Sequence, residues 1–132
     1  MGDRVIGQFT AVIVSSQPEQ LRDRTKAFAL RIIRLYRSLP YKTDTQVLGK
    51  QLLRCGTSVA ANYRAVCRAR SKAEFVAKMG VVVEEADEAI LWLELMTESG
   101  IVPLKKTESL LKEAHELTAI FAASQRTARN AA

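Results

Sequence analysis

The residues of this chain that could drive a reaction are few and scattered. His115 is the single histidine. Glu113 and Glu116 beside it suggest a solvated helix face, and no nucleophile or second base stands at a spacing that would make it a general base. Cys55 and Cys67 lie in one helical stretch and are separated by roughly 18 Å of rise, too far for a disulfide. They read as buried or half-buried thiols of a reducing compartment. Glu84, Glu85, Asp87 and Glu88 crowd one segment, but a di-metal carboxylate bundle takes a Glu-x-x-His motif from each of two helices, and the sequence has none. It also lacks a glycine-rich phosphate loop, a nucleophile elbow and a Cys/His cluster at zinc spacing. The expectation is a protein that binds and assembles, with no enzymatic activity, no cofactor and no metal.

The elements that would position such residues are helices. Leu21, Phe28, Ala29, Ile32, Leu35, Tyr36 and Leu39 recur at helical spacing, as do Leu48, Leu52, Cys55, Val59, Tyr63 and Val66. Asp44 or Thr45 is the expected cap of the second run, and Ser71 with Glu74 forms a capping box for the third. Phe75, Met79, Val82, Ala86, Ile90 and Leu93 carry that third stripe. Gly100 and Pro103 punctuate before a fourth through Leu104, Leu111, Ala114, Leu117 and Phe121. Pro40 separates the first two. The spacing predicts helices over 20–39, 45–69, 72–99 and 104–127, joined by short loops. That is an all-α, antiparallel up-and-down four-helix bundle over residues 19–132, preceded by an arm over 1–18. No run approaches the length of a membrane span. The apolar segment Val5–Val14 makes a poor signal peptide, because Asp3 offsets Arg4 and Gln8 breaks the run. The expected location is the cytoplasm.

Charge is unevenly spread. Between Leu21 and Gly80 there are 14 Lys/Arg against 3 Asp/Glu, whereas between Val81 and Gln125 there are 3 against 9. The two halves could neutralise each other within or between subunits. The net charge of +6 nevertheless leaves cation in excess, which suits a polyanion. Lys50, Arg64, Arg68, Arg70 and Lys72 are the candidate phosphate ligands, most of them around the junction of helices two and three. Beside the second apolar stripe runs a polar one of Gln51, Arg54, Ser58 and Asn62. It reads as a hydrogen-bond network with Glu85 or Glu88 of helix three, a ligand site being the alternative reading. Helix three is apolar around too much of its circumference. Leu91, Trp92 and Leu95 exceed what one bundle core can bury, and they predict a homo-oligomer interface.

The segment Leu52-Leu53-Arg54-Cys55-Gly56-Thr57-Ser58-Val59-Ala60-Ala61-Asn62-Tyr63-Arg64 resembles the signature of the bacterial four-helix-bundle family named for 23S rRNA intervening sequences. Cys67-Arg68-Ala69-Arg70-Ser71, Phe75, Glu84-Glu85-Ala86-Asp87-Glu88 and Trp92-Leu93-Glu94 extend the resemblance over roughly residues 20–128. It implies an up-and-down bundle, commonly a homopentamer, without catalytic residues. Accessory variability proteins of diversity-generating retroelements are similar, and the resemblance implies a basic surface that engages nucleic acid and a partner such as a reverse transcriptase. Many members carry a Glu-Gly pair just after the asparagine, whereas this chain has Arg64-Ala65 and thus more positive charge. Together these readings point to an oligomeric nucleic-acid-binding protein, RNA favoured over DNA. The competing reading is a protein-interaction or structural scaffold.

Overall fold

A computed structural model of the chain describes residues 18–131. The expected arm therefore lies outside the described residues, except for Pro18. Four helices follow in order: α1 (Pro18–Arg37), α2 (Thr43–Cys67), α3 (Lys72–Glu98) and α4 (Leu104–Asn130). Each packs on its neighbour in sequence, and α1 closes the ring against α4 with the sparsest of the four interfaces. The ring of contacts and the short loops make the up-and-down bundle.

Local chemistry accounts for the helix ends. Pro18 opens α1, where its missing N–H is not needed. α1 stops at Arg37, two residues before the expected end, because the Ser38 hydroxyl donates to the Leu35 carbonyl (2.7 Å) and the Ser38 amide to Arg34 and Leu35. The cap of α2 differs from the expectation. Lys42 occupies the N-cap with no side-chain bond, and Asp44 already lies inside the first turn, where its carboxylate accepts from the Thr45 amide (2.8 Å). An acid there is favoured by the positive helix terminus even without capping geometry. Ser71 does cap α3, its Oγ accepting from the Glu74 amide (3.1 Å). Gly100 follows the end of α3 at φ +82°, a left-handed conformation that a Cβ would strain.

Most of the stripe residues read from the sequence form one core, but on α4 Leu104 is 55% exposed and Leu110, not Leu111, is the buried leucine. Leu21, Phe28, Ile32, Leu52, Cys55, Val59, Tyr63, Phe75, Met79, Leu93, Leu117 and Phe121 are all buried, and the Tyr63 and Phe121 rings stack obliquely with centroids 5.6 Å apart. Gly56 sets the closeness of α1 and α2: a Cβ there would run into the Ile32 side chain. The sparse α1–α4 seam is tied by long polar side chains. Arg24 grips Glu113 with two bonds, Nη2 to Oε1 at 2.6 Å and Nε to Oε2 at 3.1 Å, which raises the arginine's pKa still further. Arg31 donates to the Ser109 hydroxyl (2.7 Å). No helix among the described residues is long and apolar enough to cross a membrane.

Candidate nucleic-acid interface

The end of the bundle where α1 begins and α2 gives way to α3 gathers cations from three helices. α2 terminates at Cys67, with the Arg68 amide bonded to the carbonyls of Ala65 and Val66, and the following Ala69 is fully buried. Burying Ala69 anchors the loop and turns its flanking neighbours, Arg68 and Arg70, to the exposed surface. One turn back on α2, Arg64 is exposed as well.

Two adjoining clefts share Arg68. The first, between α1 and α2, is lined by Arg22, Asp23, Lys26, Arg64, Cys67 and Arg68. The second, between α2 and α3, is lined by Ala65, Arg68, Arg70, Glu74 and Lys78. Arg22, Lys26 and Lys78 were not among the residues the sequence singled out. The arginine-rich face of α1 was visible, but nothing local says which turn of α1 lies against which turn of α2. None of these six cations forms an ion pair with a described residue; the ion pairs involve Arg24 and Arg54 instead. Among the described residues, the acidic half of the chain supplies no ion pair to this end.

Two of the expected phosphate ligands stand apart. Lys50 lies fourteen residues before Arg64 on α2, roughly 21 Å away along the axis. It lines a different depression with Tyr41, Lys42, Thr43, Gln46 and Val47. Lys72 is half-buried, and its Nζ donates to the Ala131 carbonyl at the end of α4. That bond satisfies an orphan carbonyl of a helix terminus and takes Lys72 out of the free cationic surface.

The polar stripe divides in the same way. Arg54 donates from Nη1 to Glu85 Oε2 and from Nη2 to Glu88 Oε1, both at 3.2 Å, and from Nε to Gln51 Oε1 at 3.3 Å. Its Nη2 also lies 3.2 Å from the Cys55 sulfur. Burial pushes the Cys55 thiol up to about 11, partly opposed by the Arg54 charge. Ser58 and Asn62 are not part of this cluster. Asn62 Nδ2 turns back to the Ser58 carbonyl (2.9 Å), an intrahelical bond that needs nothing from α3.

The surplus apolar residues of α3 also separate. Leu91 and Leu95 are 46% and 41% exposed, and Val81 is 42% exposed, on the outward side of α3. Trp92 instead packs against the core, with a buried indole N–H near Cys55. Its bulk is absorbed at the α2–α3 interface, so it is not surplus within a single subunit.

Fold and surface together define a class: an all-α four-helix bundle with a cationic end that has no ion pair among the described residues. The chain belongs to the 23S rRNA-intervening sequence protein family, whose model matches residues 20–123. It is similar to a crystal structure described as a protein with unknown function from the S23 ribosomal protein family of Bacteroides thetaiotaomicron. The two share 31% identity and a TM-score of 0.76 over 83% of this chain and 97% of that one. No curated protein matches the chain.

Proposed function

We propose that this protein is a non-enzymatic, oligomeric nucleic-acid-binding bundle that engages the phosphate backbone, preferentially of RNA, through the cationic end formed by α1, α2 and the α2–α3 junction. The observation that carries the reading is the pair of adjoining clefts around Arg68, with Arg22, Lys26, Arg64, Arg70 and Lys78 free of ion pairs to described residues. Phosphate contacts of this kind position a strand without reading its sequence, and counterion release makes them strongly salt-dependent. Assembly would use the outward face of α3, where Leu91 and Leu95 are exposed one turn and two turns after the exposed Asp87; a pentamer is the form that the family resemblance implies. In the competing reading, the same cations dock on acidic helices of a neighbouring subunit or of a protein partner such as a reverse transcriptase.

Titration of mixed-sequence RNA over a range of salt concentrations tests the proposal. Arg68→Ala with Arg70→Ala should weaken binding and reduce the slope of log affinity against log salt by roughly 0.7 for each lost single-strand phosphate contact. Lys50→Ala should leave both unchanged. Negligible RNA binding near physiological salt, with the arginine substitutions loosening assembly instead, would favour the scaffold.

A further inference from the structure

The α1–α2 cleft concentrates more positive charge than a passing strand requires. Its volume is about 340 Å³, smaller than the roughly 450 Å³ of the α2–α3 cleft, so charge and not size sets it apart. Arg22 and Lys26 stand one turn apart on α1, and Arg64 of α2 and its C-cap Arg68 are four residues apart, with all four lining the same hollow. Like charges at this spacing repel along each helix, and here two such pairs also face each other. The one carboxylate in the lining, Asp23, leaves a formal excess of three positive charges. None of the four cations has an ion-pair partner among the described residues.

A backbone phosphodiester carries a single charge and presents two free oxygens. A terminal phosphomonoester carries close to two charges near neutral pH and presents three strong acceptor oxygens. Planar guanidinium forks grip such a group with paired hydrogen bonds, and Arg22, Arg64 and Arg68 supply three forks from two helices. The second cleft continues from Arg68 to Arg70 and Lys78 with Glu74 as its carboxylate, giving a less charged path for the diesters that follow.

Resting on the nucleic-acid reading above, we propose that the α1–α2 cleft is a terminal-phosphate site: it takes the phosphomonoester at a strand end, and the α2–α3 cleft carries the adjoining backbone. The protein is thereby a reader of phosphorylated strand ends. Arg22 and Lys26 distinguish the end, whereas Arg70 and Lys78 serve any part of the strand.

Fluorescence anisotropy of the full chain with one short oligoribonucleotide tests this, the strand being prepared with a 5′-phosphate, with a 3′-phosphate or with hydroxyls at both ends. At least one phosphorylated form should bind about tenfold more tightly than the hydroxyl form, as one or two added charge-assisted hydrogen bonds would give. Arg22→Ala with Lys26→Ala should weaken the phosphorylated form more than the hydroxyl form and so abolish that preference, and an unchanged helical spectrum and melting midpoint would confirm an intact bundle. Equal affinity for all three strands, with the steep salt dependence retained, overturns the terminal-phosphate site and leaves backbone binding standing. No binding of any strand overturns both. Displacement of the strand by an equimolar free mononucleotide would also overturn the proposal, because it would make the ligand a soluble nucleotide instead of a strand end.

Discussion

Arg54 of α2 and Glu85 of α3 meet at 3.2 Å across the helix interface, with the glutamate side chain only 14% exposed and the arginine half open to solvent. The asymmetry governs what each contributes. The arginine can exchange its partner for water, but the glutamate, enclosed by the helix pair, loses its main neutralising charge if the arginine is removed. Arg54→Ala should lower the thermal unfolding midpoint more at low salt than at high salt. Adding Glu85→Gln should restore part of the loss. A midpoint that ignores both substitutions would show that the cross-helix pair is energetically idle, as many exposed pairs are.

Gly56 should resist alanine despite alanine's better helix propensity. The propensity gain is about 1 kcal/mol, but the new methyl would meet the fully buried Ile32 side chain, and overpacking a core costs about 1–3 kcal/mol. Denaturant melts should find Gly56→Ala neutral to destabilised. Ile32→Val, which removes the nearest carbon, should make the alanine more tolerable than it is alone. Equal effects of Gly56→Ala in the two backgrounds would disprove the contact.

The Cys55 thiol, held up to about 11 by burial, makes a pH prediction. An unfolded thiol ionises near pH 8.5, so the folded state binds the proton more tightly. The resulting stability is fully present below that value and is lost as pH rises towards 11. Stability measured from pH 8 to 11 should fall more steeply for the native sequence than for Cys55→Ala. A thiol reagent at pH 8 should modify Cys55 slowly unless the protein is unfolded.

Lys72 should matter to the end of α4 and not to RNA. Its Nζ supports the Ala131 carbonyl, so Lys72→Met should speed amide exchange in the last turn of α4 and leave nucleic-acid affinity and its salt slope unchanged. A reduced slope would return Lys72 to the phosphate-binding set.

Leu91 and Leu95 provide a test of assembly. If copies associate through the outward face of α3, Leu91→Glu with Leu95→Glu should reduce the mass found by light scattering towards that of one chain, while the helical signal persists. Both side chains are already substantially exposed, so the bundle itself should tolerate the charges. An unchanged mass would place any interface elsewhere.

The helices and most of their limits were legible in the sequence because the forces that set them act over a few residues. The Ser71 cap and the Gly100 stop were read directly. The Asp44 or Thr45 cap was not, since a favourable acid in the first turn and a true capping residue look alike in one dimension. Arg54 with Glu85 and Glu88 was also readable, because a polar stripe beside an apolar one must find partners on the next helix. Helix phase was harder. Trp92 sits among apolar neighbours on all sides, and only the packing of α2 against α3 turns its indole inward and leaves Leu91 and Leu95 outside.

The sequence by itself determined an all-α bundle, its four stripes, the cationic and acidic halves and the exposed Arg68 and Arg70. These follow from periodicity, punctuation and charge, which are properties of neighbours along the chain. The tertiary structure decided which cations share a cleft: Arg22 and Lys26 join Arg64 and Arg68, Lys50 is left about 21 Å from Arg64 along the helix axis, and Lys72 is taken by Ala131. The physical reason is register. The relative slide and rotation of antiparallel helices are set by how buried side chains interlock, as Ile32 does over Gly56, and that interlocking depends on both helices at once.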